Sequence, residues 1–220
     1  MTRRPTATVL VSGSGSNLQA LIDARRAGLL GMDIVHVVSN VPDARGLQRA
    51  QQAGIPTSVL EHGRFADRAA FDRALALLIA AHEPDLVILA GFMRIIGPEA
   101  LAPFTGRMIN LHPSLLPRYR GTGTYQRAID AGDHEHGASI HFVTQELDGG
   151  PVISQVIIPI LPDDDAATLA ARLGPEEHRL VVATAGLFAT HAVECRDGRV
   201  FVDGNPLDRP LRLQADGGLV

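Results

Sequence analysis

The chain has 220 residues, a formal charge of −4 and 45% hydrophobic residues, which suits one globular domain or two fused lobes and excludes a disordered chain. All 20 basic residues are arginine, so a Schiff-base lysine, a pyridoxal phosphate site and a P-loop lysine are excluded, and the mild acidity offers nucleic acid no basic footprint. A single cysteine, Cys195, rules out an intrachain disulfide, a CxxC zinc site and an iron–sulfur cluster, and fits a cytoplasmic protein.

Thr8–Val11 is a short apolar run that reads as a strand, with no signal peptide expected ahead of it. It ends in Ser12-Gly13-Ser14-Gly15-Ser16-Asn17, and a helical pattern follows through Leu18, Leu21, Ile22 and Ala24 to a stop at Gly28. Ile34–Val38 reads as a second strand, Arg45–Ala53 as a helix closed by Gly54, Thr57–Leu60 as a third strand and Arg68–His82 as an amphipathic helix. Leu86–Ala90 is apolar throughout, as in a strand buried on both faces of a parallel sheet. The alternation predicts a Rossmann-like lobe over residues 1–104.

After Pro103 the rhythm changes. Met108–Leu111 reads as a strand, Thr124–Ala131 as a short helix, and Ala138–Val143 and Val152–Ile158 as strands joined by a loop holding Asp148. Asp165–His191 is a long helical pattern that could bend at Gly174-Pro175, and Asp163-Asp164-Asp165 caps it. Val193–Val202 reads as a hairpin turning at Asp197-Gly198. Residues 105–204 thus form a second lobe of the same domain, and the tail, 205–220, is expected to be loose. No apolar run approaches the ~20 residues of a membrane helix. The predicted class is α/β: a mostly parallel Rossmann-like sheet with helices on both faces, extended by antiparallel strands and a long helix.

Asn110-Leu111-His112-Pro113-Ser114-Leu115-Leu116-Pro117 and Leu147-Asp148-Gly149-Gly150-Pro151 carry the chemistry. Asn110 and His112 are two apart, so on a strand they leave the same face. An amide donor beside an imidazole suits acyl chemistry, one polarising a carbonyl and the other moving a proton. A carboxylate brought in by Asp148 would raise the imidazole's pKa and orient it. Taken singly, these residues also read as a strand end and a turn.

Gly13-x-Gly15-Ser16-Asn17 between a strand and a helix puts backbone N–H groups where an anion sits. It is neither the dinucleotide fingerprint, because position 18 is Leu, nor a P-loop. It reads either as a site for a mononucleotide or sugar phosphate or as a glycine turn in which Ser16 or Asn17 caps the helix. Gly91-Phe92-Met93-Arg94-Ile95-Ile96 follows the buried strand, where open α/β folds bind ligands, and reads as a cradle for a flat heterocycle or as an inward-packed loop. His134-Glu135-His136 reads as a solvated loop and no metal site is expected.

Together with Ala90-Gly91-Phe92-Met93-Arg94 and Ser12-Gly13-Ser14-Gly15-Ser16-Asn17-Leu18-Gln19-Ala20, the two catalytic motifs resemble the folate-dependent phosphoribosylglycinamide formyltransferases, in family order over residues 7–191. The resemblance implies the formyltransferase fold and transfer of a formyl group from 10-formyltetrahydrofolate to phosphoribosylglycinamide in purine biosynthesis. It implies Asn110 as donor to the formyl oxygen, His112 as a proton donor kept charged by Asp148, and Asp148 as the group that helps deprotonate the amine. It further implies that Gly15, Ser16 and Asn17 hold the phosphate and that Glu177 contacts the ribose or glycinamide. Met93, Arg94, Ile95 and Ile96, with Thr144, Gln145, Glu146, Leu147, Asp148 and Asn110, would clamp the pterin, and Arg68 would sit near the folate's outer part. The implied partners are these two small molecules, with no nucleic acid or membrane, in a monomer or homodimer.

Two positions depart from the family. Gly174 stands where a long polar or basic side chain often helps hold phosphate, and Arg118-Tyr119-Arg120-Gly121 resembles the methionyl-tRNA formyltransferases. A formyl-folate hydrolase, a transferase to another amine and a non-catalytic nucleotide sensor are the competing readings.

Overall fold

A computed structural model describes residues 3–220. Strands β1 (Thr6–Val11), β2 (Asp33–Ser39), β3 (Thr57–Val59), β4 (Leu86–Leu89) and β5 (Met108–His112) alternate with helices α1 (Ser16–Arg26), α2 (Arg45–Gln52), α3 (Arg68–Ala80) and the short α4 (Pro98–Leu101). Then come α5 (Thr124–Asp130), β6 (Glu135–Phe142), β7 (Val152–Pro159) and the long α6 (Ala166–Thr190). Strands β8 (Val193–Arg196), β9 (Arg199–Val202), β10 (Asn205–Pro206) and β11 (Leu211–Arg212) close the chain.

One eight-stranded sheet, ordered β11-β7-β6-β5-β4-β1-β2-β3, runs through both halves of the chain. The pairs from β3 to β5 are parallel, β5–β6 and β6–β7 are antiparallel, and β11 lies parallel on β7. The period-two rule sorts the core cleanly. Leu86 and Ile88 of β4 join the cluster under α1, α2 and α6, whereas Val87 and Leu89 join the one under α3 and α4. Leu18 and Leu21 of α1 and Leu173 and Leu180 of α6 are fully buried, each contributing about 1.5–3 kcal/mol of apolar burial. Strand order reverses between β1 and β4, so the loops leaving them flank the crevice where such sheets bind ligands.

The long helix does not stop at Gly174-Pro175; α6 runs through it, started by a capping box in which the Asp165 side chain accepts from the Ala167 and Thr168 amides. The predicted hairpin forms, with Asp197 and Gly198 both at positive φ (50° and 72°) as its tight turn requires. Two expectations fail. Strand β6 begins at Glu135, not Ala138, because Gly137 is no breaker: a Cβ there would lie 1.9 Å from the Val156 carbonyl oxygen, so only glycine lets β7 approach. The tail is tied down: β11 pairs with β7, Arg212 and Val220 exchange backbone hydrogen bonds, and Arg179 donates to the carbonyls of Gln214 and Ala215.

Candidate active site

Asn110 and His112 end β5, side by side on one face as their spacing requires. The loop after them is shaped from beneath. The fully buried Ser139 hydroxyl on β6 donates to the Ser114 carbonyl and accepts from the Leu116 amide, while Gln155 on β7 donates to the Leu116 carbonyl. Asp148 arrives from the β6–β7 loop with φ 47°, a left-handed conformation that Asp tolerates better than most residues.

The Asp148 carboxylate gathers the site. Oδ2 accepts from the Gly121 amide at 2.9 Å and lies 3.4 Å from His112 Nδ1, while Oδ1 lies 3.5 Å from Asn110 Nδ2 and 3.6 Å from His141 Nε2. Burial alone would raise its pKa, but the contact with His141, the hydrogen bond from the Gly121 amide and the nearness of His112 outweigh it and hold Asp148 below the usual carboxylate range. Asp148 is therefore ionised at neutral pH.

His112 is 5% exposed, and its Nε2 sits 2.9 Å from the Tyr119 carbonyl oxygen. A carbonyl only accepts, so Nε2 carries a proton and Nδ1 is the nitrogen free to exchange one with the site. Burial pushes the His112 pKa down, with His141 and Arg127 adding to the effect; the Tyr119 carbonyl and Asp148 oppose it without overcoming it. This corrects the sequence expectation of a raised pKa, because desolvating an imidazolium costs more here than one partly buried carboxylate returns.

His141 is a member of the site that the motifs did not reveal. It faces Asn110 across the β5–β6 ladder, with Nδ1 at 2.9 Å from the Phe142 carbonyl oxygen and Nε2 at 3.2 Å from Asn110 Nδ2. With Nδ1 donating to the carbonyl, Nε2 accepts from the Asn110 amide and fixes that amide nitrogen toward the cavity. The second amide proton rests only on the long 3.5 Å contact to Asp148, which a developing oxyanion can take over.

These groups open onto a cavity of about 450 Å³. The predicted pterin clamp surrounds it from both sides: Met93, Arg94, Ile95 and Ile96 after β4, and Thr144, Gln145, Glu146 and Leu147 ahead of Asp148. Met93 and Ile95 are exposed to it while Ile96 anchors the loop in the core, so the clamp is partly an inward-packed loop as well. Arg68 does not line the cavity; its guanidinium donates to the Ile95 carbonyl at 3.0 Å and braces the outer rim.

The phosphate-loop candidates lie apart from the cavity walls. Gly15 is the residue before α1, at φ 65°, and a Cβ on it would lie 2.5 Å from Gly46 Cα at the start of α2. No side chain caps α1, so the capping role considered for Ser16 or Asn17 is absent, and the Ser16 hydroxyl and the first backbone N–H groups remain available at the helix N-terminus. Ser12, another residue missed from the sequence, couples the two loops: its hydroxyl accepts from the Met93 amide at 2.7 Å and donates to the Asn40 side chain. Gly174 faces open space, and Glu177 three residues on reaches Asn17 and Tyr125. His136, expected in a solvated loop, is buried in β6, a strand buried on both faces from this residue on, with its ring 5.1 Å from that of Tyr125. Among the described residues no cluster of three or more His, Cys, Asp or Glu is arranged to hold a metal ion.

A parallel sheet carrying an amide donor, an imidazole and a carboxylate beside a heterocycle-sized cavity is the arrangement of an acyl-transfer enzyme. The chain belongs to the formyl transferase family, whose model matches residues 6–185. Its similarity is to the phosphoribosylglycinamide formyltransferases in particular. It is 45% identical to that of Escherichia coli over 90% of this chain and 94% of the relative. The solved phosphoribosylglycinamide formyltransferase of Coxiella burnetii superimposes with a TM-score of 0.89, 43% identity and 98% of both chains covered. A formyltetrahydrofolate deformylase from Pseudomonas putida is also similar, at TM-score 0.80 and 31% identity, with 91% of this chain and 70% of that one covered.

Proposed function

We infer that this chain transfers the formyl group of 10-formyltetrahydrofolate to the amine of 5-phosphoribosylglycinamide, in purine biosynthesis, by direct attack through a tetrahedral intermediate. The observation that carries this reading is one ionised carboxylate, Asp148, within 3.4 Å of an imidazole and 3.5 Å of an amide donor at the edge of the cavity. The neutral amine adds to the formyl carbon, giving negative charge on oxygen and positive charge on nitrogen. Asn110 Nδ2 donates to the oxyanion, and Asp148, directly or through water, takes the proton that the nitrogen releases. Asp148 and His112 Nδ1 are close enough to pass a proton between them, and growing negative charge on the formyl oxygen raises the affinity of His112 for it. Protonation of the folate nitrogen as its bond to the formyl carbon breaks then completes the transfer. The sequence of steps balances without a metal or a covalent enzyme intermediate.

The two lobes divide the work. In residues 1–104, Gly15, Ser16 and Asn17 hold the acceptor phosphate, with Gly174 leaving room and Glu177 contacting the ribose or glycinamide. In residues 105–204, the catalytic trio and the loop at 144–148 meet the folate against Met93–Ile96, and Arg68 braces the rim near its outer part. The protein works as a monomer or as a homodimer, in the cytoplasm that a lone cysteine suits.

The test is the absorbance change on mixing protein, 10-formyltetrahydrofolate and phosphoribosylglycinamide. Folate turnover that requires the phosphoribosyl substrate is expected. Turnover equal in its absence would make the protein a hydrolase, and binding of both without turnover would leave a sensor.

A further inference from the structure

Tyr125 has no part in the steps above, yet it spans the two halves of the site. It sits in the first turn of α5, lines the cavity beside His112 and packs its ring on the buried His136. Its hydroxyl leaves in the opposite direction and donates to Glu177 Oε1 on α6 at 3.1 Å. Asn17, at the N-terminus of α1, lies near the same carboxylate, so three helices meet around it.

Burial pushes the Glu177 pKa up, and the hydrogen bond from Tyr125 opposes that rise without cancelling it. Only the ionised form presents lone pairs alone to the hydroxyl and N–H donors of a glycinamide ribonucleotide. The Tyr125 hydroxyl is itself locked as a donor, since burial and the adjacent carboxylate both raise its pKa.

We propose that Tyr125 is a positioning and specificity residue for the acceptor substrate: its hydroxyl holds the Glu177 carboxylate aimed at the phosphoribosylglycinamide, while its ring forms the wall between that substrate and the folate. The proposal rests on the acceptor assigned above.

The experiment is steady-state kinetics of Tyr125→Phe, which keeps the ring and removes the hydroxyl. Losing one hydrogen bond to a charged group is expected to raise the acceptor KM roughly tenfold, with the folate KM and the saturated kcat changed by less than about threefold. The acid limb of kcat/KM for the acceptor should move to higher pH, as Glu177 takes up a proton more readily without its donor. Adding Glu177→Gln to Tyr125→Phe should cost much less than the product of the two single effects. An unchanged acceptor KM and acid limb would overturn the proposal, as would an equal rise in both KM values with a lowered melting temperature, which marks Tyr125 as packing only. Requiring first that the parent protein turns over folate only with phosphoribosylglycinamide separates failure of this inference from failure of the assigned reaction.

Discussion

Replacing Asp148 with Asn tests the assigned chemistry most directly, because the change is isosteric and the backbone tolerates it. Asn adopts the left-handed conformation at φ 47° as readily as Asp, and its side-chain oxygen still accepts from the Gly121 amide. What disappears is a charge 3.4 Å from His112 Nδ1 and a base for the amine proton. At an effective dielectric of ~20, a full charge pair at that distance interacts by about 5 kcal/mol, which corresponds to a loss of roughly 10³–10⁴-fold in rate once the imidazole carries its proton in the transition state. Asp148→Asn should therefore lower kcat by about 10³-fold or more with both KM values near the parent's, read from the folate absorbance change under saturating substrates. A thermal melt in parallel should agree with the parent within a few degrees. A well-folded variant retaining more than a tenth of parental kcat would refute the role of the carboxylate.

Three further outcomes follow from the same geometry. Asn110→Ala removes the oxyanion donor and should cost ~10²–10³-fold in kcat with little change in folate KM, measured in the same assay. Gly15→Ala would drive a Cβ to 2.5 Å from Gly46 Cα at a φ of 65°, so a loss of about 2–4 kcal/mol in urea unfolding, together with a raised acceptor KM, is expected; an unchanged urea midpoint would show that the loop yields. His36, 1% exposed and stacked on His82, has its pKa pushed down to about 4 by burial and by that neighbour. Because the folded pKa lies below the unfolded value of about 6.5, the unfolded chain binds the extra proton first, and stability falls as pH drops from about 6.5 to 4 by as much as ~3 kcal/mol. His36→Asn should show a shallower acid decline than the parent; parallel declines would exclude His36 as the cause.

Most of the fold was legible because its signals are local. The Leu86–Ala90 run, the glycine turn before α1 and the Asp197-Gly198 hairpin each state their conformation in a few residues. The misreadings at Gly137 and the tail share another origin. Gly137 resembles a strand breaker until β7 is seen to need its missing Cβ, and residues 211–212 become a strand only because the edge of β7 is open to them. Neither partner is near in sequence, so composition pointed the wrong way.

The site divides along the same line. Asn110, His112 and Asp148 were readable as chemistry, since their types and spacing suit acyl transfer wherever the chain takes them. His141, Ser12 and Tyr125 were not, because each acts through a neighbour supplied by another element: the Asn110 amide across a ladder, the Met93 amide across the crevice, and the Glu177 carboxylate across two helices. The proton affinity of His112 is the sharpest case. Sequence suggests a carboxylate nearby and hence a raised pKa, whereas the sign is decided by how much water the fold removes from the ring. The consequence is chemical. A His112 that is neutral at rest and gains its proton only as charge develops on the formyl oxygen interacts more strongly with the transition state than with the bound substrates, and only such a difference accelerates the reaction. A permanently charged imidazole would bind the formyl carbonyl of the ground state as well, and part of that advantage would be lost.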